Sequence, residues 1–154
     1  MLFHSTRGGD KDKDFASILM QGLADDGGLF MPDHWPQVDL EKIKGLQSFV
    51  EVAKEIVPLF TASSFTQAET IKIVENTWHD FEHQDLVGIQ TIENISVLEL
   101  FHGPTAAFKD FGLQLAAAFF NEVLEKEDKT ALVLGATSGD TGSAAIDACR
   151  SYAR

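Results

Sequence analysis

Cysteine is almost missing from this sequence. Cys149 is the single one, so no internal disulfide can form, and this usage fits a reducing, cytoplasmic setting. Basic residues are also scarce. Twelve Lys and Arg stand against 24 Asp and Glu, for a formal net charge of -12. So acidic a chain argues against nucleic acid or an anionic membrane surface as partner. No apolar run approaches the ~20 residues that a membrane-spanning helix needs. The opening Met1-Leu2-Phe3-His4-Ser5-Thr6-Arg7 has no charged region followed by an apolar stretch, so it does not read as a secretory signal. Internal repeats and low-complexity segments are absent too.

What is present is enough for a folded core. The chain has 154 residues, 44% of them hydrophobic and 23% charged, which fits one domain, or one and a part. Leu2 to Thr6 reads as a short strand or extended arm, and Asp10 to Asp14 as a solvated charged loop. Asp14 is placed to cap a helix to about Gly22, with Phe15, Ile18, Leu19 and Leu23 at helical spacing. Ala24 to Gly28 is a turn whose glycines permit positive backbone angles. Leu29 to Met31 is extended up to Pro32. A loop to Asp39 follows, with Trp35 as a lid over apolar surface.

Two capping boxes come next. Ser48 with Glu51 opens a helix expected to break at Pro58, and Thr66 with Glu69 opens one to about Trp78, burying Ile71, Val74 and Trp78. His79 and His83 are four apart, but no third ligand is clearly placed, so they read as surface histidines rather than a metal pair. These elements make a small, mainly helical domain over residues 1–90.

From Leu86 the character changes. Ile95 to Phe101 suits a strand, Phe108 to about Glu127 a long helix, and Thr130 to Gly135 a second strand. The helix carries an apolar stripe of Leu113, Ala116, Ala117, Phe120 and Leu124. Strand, helix, strand predicts a right-handed parallel unit. Both loops would then open at one carboxyl edge, where ligands bind in open α/β sheets. The fold class expected is α/β, with residues 91–154 beginning a parallel-sheet domain.

Two stretches carry chemistry. In Phe101-His102-Gly103-Pro104-Thr105-Ala106-Ala107-Phe108-Lys109-Asp110-Phe111, one lysine opens the long helix in mostly apolar company. It reads either as an ordinary surface lysine, its charge offset by Asp110, or as an amine pushed toward its neutral, carbonyl-reactive form by desolvation and the helix dipole. In Gly135-Ala136-Thr137-Ser138-Gly139-Asp140-Thr141-Gly142, a strand runs into a helix through small and hydroxyl residues. This reads equally as a turn capped by Asp140 or Thr141, or as an anion site at a helix start. No Gly-Lys-Ser/Thr follows, and the Gly-x-Gly-x-x-Gly spacing is lacking. Thr141 to Arg154 reads as a helix without a closing signal.

Together these two motifs closely resemble the threonine synthase family, enzymes of the tryptophan-synthase-beta fold type that depend on pyridoxal 5'-phosphate (PLP). Ser5-Thr6-Arg7-Gly8 and Gly22-Leu23-Ala24-x-x-Gly27-Gly28-Leu29-Phe30-x-Pro32 are similar to its opening signatures. The resemblance runs from residue 3 onward. It implies a lyase that converts O-phospho-L-homoserine and water to L-threonine and phosphate. It implies Lys109 as the catalytic residue that carries PLP, with Phe108 and Asp140 beside the cofactor. Thr137, Ser138, Gly139 and Thr141 would receive the substrate carboxylate, and Arg7 would assist with substrate or pair with an acidic core partner; no metal is implied. Asp140 stands where many members of the fold type have asparagine.

Family members are much longer, and the resemblance places the loop for the PLP phosphate and the partner of its ring nitrogen in a later part. The chain is therefore expected to be the amino-terminal portion of such an enzyme, with little activity alone and the remaining part as a partner. Three other readings stay open: a threonine synthase-like phospho-lyase, a non-catalytic interaction module, and an unrelated anion-binding α/β domain.

Overall fold

The structure is a computed structural model that describes residues 1–152. The chain forms two compact units, residues 1–75 and 76–154.

In the first unit, β1 (Phe3–Ser5) pairs antiparallel with β2 (Phe30–Pro32), and Phe3 also bridges to Lys13. α1 (Phe15–Gln21) starts where the Asp14 carboxylate accepts from Ser17 N. Its next free amides, on Phe15 and Ala16, donate to the Ser63 and Ser64 hydroxyls. Leu23 lies past the helix end and is exposed, contrary to the expected apolar face. The short α2 (Leu40–Lys44), capped by Asp39, was not anticipated. Trp35 is 64% exposed, with its ring edge-on to Phe60, so it covers less than a lid would.

α3 (Phe49–Thr61) begins at the Ser48–Glu51 capping box, as expected. It does not break at Pro58 but runs on to Thr61. A proline inside a helix costs roughly 3 kcal/mol through its missing amide and ring clash. Burial of the final turn offsets this. Thr61 is 1% exposed, and its hydroxyl meets Val57 O and the buried Thr70 hydroxyl at 2.8 Å. α4 (Gln67–Thr77) opens with the reciprocal Thr66–Glu69 bonds. Its buried stripe is Thr70, Ile73, Val74 and Thr77, followed by Trp78, whereas Ile71 is only half-buried.

In the second unit, β3 (Gly88–Ile92) and β4 (Ile95–Glu99) form an antiparallel hairpin. α5 (Lys109–Glu127) ends at Asp128 in the left-handed region. α6 (Asp140–Cys149) packs along it. The core includes Trp78, Phe119, Val123, Leu124, Ala144 and Ala148. The Trp78 indole donates to Phe111 O at 3.1 Å. Burial on α5 falls on Asp110, Ala118, Phe119, Val123 and Leu124, so of the expected stripe only Leu124 is fully buried.

The α/β class is as expected, but the parallel strand–helix–strand pairing is not formed among the described residues. β4 pairs backward with β3, and residues 130–135 form no strand. Leu132 and Leu134 are 88% and 89% exposed. A strand that is apolar on both faces suits the interior of a sheet, and here no neighbouring strand meets it. α6 ends at Cys149, short of the expected Arg154; Ala153 and Arg154 lie outside the described residues.

Candidate active site

The lysine loop hangs between two anchors. At its start, His102 Nε2 lies 2.9 Å from Glu99 Oε2, and the His102 carbonyl accepts from Glu82 N. The His83 ring lies 4.7 Å from that of His102. His79 turns to Asn76 O and Asp80 instead, so the two histidines weighed as a metal pair face different partners. At the loop's end, Ala106 adopts φ 55, uncommon for a residue with a Cβ, and its amide bonds to Gly103 O.

Lys109 is the first residue of α5 and is half-buried. Its amine rests over the Phe108 ring, 4.3 Å from the centroid, within cation–π range. Phe101 and Phe111, expected beside it, turn instead to His102 and Phe81. Asp110 was expected to offset the lysine charge. Its carboxylate is fully buried and points to Thr105, accepting from the hydroxyl at 2.6 Å and from the amide at 2.9 Å. The sequence reading gave Asp110 no further role. An acid in a helix's first turn among apolar neighbours was the available signal.

The glycine-rich loop is closed by Thr137, whose hydroxyl accepts from Gly139 N and Gly142 N. The N-cap of α6 is Gly139, with φ 144, and not Asp140 or Thr141. A Cβ at Gly142 would collide with the Thr137 methyl, so only glycine lets the loop fold this tightly. Ser138, Asp140 and Thr141 are exposed, which leaves the open side of the loop accessible.

α5 and α6 run the same way. Gln114, five residues past the head of α5, bonds to Asp147, seven residues past the head of α6, at 2.7 Å, and further along both Tyr152 lies by Glu122. Burial, with Cys149 and Glu122 close, pushes the Tyr152 hydroxyl up. Both helix starts therefore lie at one end of the pair, which brings Lys109 and the Thr137–Thr141 loop to the same end.

Arg7 belongs to the first unit. Its guanidinium donates to Asp26 O at 2.9 Å. The Asp26 carboxylate accepts from Ser5 Oγ, Gly9 N and Gly28 N, and these bonds, the Ser5 one foremost, hold it below the usual carboxylate range. A Cβ at Gly28 would run into the Ser5 hydroxyl. The two opening signatures thus form one structural joint.

A protein-family model described as "Threonine synthase N terminus" matches residues 2–78, half of the chain. The chain belongs to the threonine synthase family. It is 44% identical to a threonine synthase of Pseudomonas aeruginosa, over 97% of this chain and 33% of the relative. It is 37% identical to a protein named threonine synthase-like 2 of Xenopus laevis, again over 97% and 33%. Among solved structures, PLP-bound threonine synthase from Brucella melitensis matches with a TM-score of 0.89 at 43% identity, over 96% of this chain and 32% of that one. The chain thus spans about a third of the length of the threonine synthases it matches. Among its described residues no helix is long and apolar enough to cross a membrane.

Proposed function

We propose that this chain supplies the lysine and the carboxylate-receiving loop of a PLP-dependent threonine synthase acting on O-phospho-L-homoserine. The supporting observation is the placement of Lys109 at the head of α5, at the same end of the helix pair as the loop opening α6. The residues suit the cofactor. A half-buried primary amine matches its aldehyde, Ala106 and Ala107 are small residues beside that amine, and the loop keeps an exposed side that carries the Ser138 and Thr141 hydroxyls. PLP, when bound, supplies an electron sink for charge developing on the substrate's α carbon.

The chain's own residues do the rest in this reading. The Lys109 amine carries the cofactor and, once released from it, moves protons at the α and β carbons. Phe108 and Asp140 border the ring. Thr137, Ser138, Gly139 and Thr141 hold the substrate carboxylate at the start of α6, where the helix dipole favours an anion. Arg7 assists with substrate; its bond to Asp26 O occupies part of its guanidinium and leaves the residue exposed. Residues 1–90 act as the amino-terminal domain and 91–154 open the catalytic one. The protein works in the cytoplasm, and the chain alone turns over little, because the cofactor phosphate and ring nitrogen are held by the remaining part of the enzyme.

The test is product analysis on this chain joined to the remaining two thirds of the Pseudomonas aeruginosa relative. O-phospho-L-homoserine should yield threonine and phosphate in equal amounts, with Lys109→Ala slowing this by about 10³-fold. Phosphate released with a product other than threonine would favour a phospho-lyase, the reading that the threonine synthase-like 2 relative keeps open. No turnover by the joined protein would overturn both.

A further inference from the structure

Asp110 is one residue past Lys109, yet the two sit in different surroundings. Lys109 is half-buried, while Asp110 has no exposed surface. A carboxylate is taken out of water only where donors replace its solvent. Here the donors are both on Thr105: the amide meets Oδ2 at 2.9 Å and the hydroxyl meets Oδ1 at 2.6 Å. Gly103 completes the arrangement, because a Cβ at that position would strike the carboxylate. The helix dipole adds to it, since an acid is favoured in a first turn where a lysine is not.

We infer that Asp110 is the positioning residue for Lys109: its clamp on Thr105, packed against Gly103, sets the direction of the lysine amine. The inference rests on the reading of Lys109 as the cofactor lysine. Successive residues on a helix point about 100° apart. Locking Asp110 inward therefore fixes the side on which Lys109 emerges. The same clamp ties residues 103–105 to the helix start and so holds Ala106 in its left-handed conformation, φ 55. The His102–Glu99 contact pins the other end of the loop. Released from the clamp, the loop and the first turn of α5 can rotate, and the amine loses its fixed aim.

The experiment uses the chain as it stands, exposed to substoichiometric PLP, reduced with borohydride and peptide-mapped. Lys109 labelling is expressed as its share over all other lysines. Asp110→Asn keeps volume but removes the charge and one of the two acceptor oxygens, so the amide and the hydroxyl of Thr105 can no longer both donate to it. Thr105→Val removes the hydroxyl alone, and Thr105→Ser restores it. The expected result is a Lys109 share reduced at least about tenfold in Asp110→Asn and Thr105→Val, recovery in Thr105→Ser, and melting temperatures close to the parent's. Should Asp110→Asn not fold, the Thr105 pair decides. Undiminished Lys109 selectivity in Thr105→Val and Asp110→Asn overturns the positioning role and leaves the lysine reading intact. Where the parent chain shows no preference for Lys109, the same labelling is read on the joined protein, and no preference there overturns both.

Discussion

Asp26 shows how much a single side chain organises in the first unit. Its carboxylate joins Ser5 to the Gly27-Gly28 turn through bonds from Ser5 Oγ, Gly9 N and Gly28 N of 2.7 to 2.8 Å. Those bonds favour its charged form, so the folded pKa lies below the ordinary 3.8. A depressed carboxylate contributes stability that is present above its unfolded value and lost as pH falls through the folded one. Asp26→Asn should therefore melt below the parent at pH 7, and the gap should close as pH drops below 3.8. Thermal melts of both proteins from neutral pH down to pH ~3 would show this; a gap that does not change with pH would contradict it. The sequence displayed the residues of this joint as two separate signatures, and nothing in it said that Asp26 ties them. The fully buried Asp110 was hidden in the same way, because burial depends on what packs above a residue rather than on its neighbours in the chain.

At the scale of elements, local signals were legible and tertiary ones were not. The Asp14 cap and the boxes at Ser48 and Thr66 formed as read, because each needs only three or four consecutive residues. Pro58 was misread for the opposite reason. Its local penalty is real, but the burial of Thr61 and its bond to Thr70 lie outside any short window. Because α3 continues through it, the Lys54 carbonyl four residues earlier faces a ring rather than an amide. Pro58→Ala should restore that donor and raise stability, by about 1 kcal/mol once the proline's restriction of the unfolded chain is subtracted. Chemical denaturation reads this directly, and a loss of stability would show that the proline ring itself is needed in the packing. The hairpin of β3 and β4 was missed because only its second half has a clear strand pattern, and residues 130–135 read as a strand on composition alone.

For the molecule as a whole, the sequence carried the family, and the structure puts the heads of the two motif-bearing helices at one end of the helix pair. Lys109 and the Thr137 loop are separated by the rest of α5 and the segment 128–136. Both lie at one end of the helix pair because α5 and α6 lie side by side and run the same way. The expected route to that placement, a parallel sheet, is not formed among the described residues. The helix pair alone accomplishes it. The chain spans about a third of its relatives' length, and the exposed Leu132 and Leu134 mark where its apolar surface is least covered. The central claim is that Lys109 is the amine that receives the cofactor, and an absorbance titration of the chain with PLP addresses it first. A band at roughly 410 nm that saturates at one equivalent with the parent chain and is missing with Lys109→Ala is the expected result. The same band at the same strength in both proteins would contradict it.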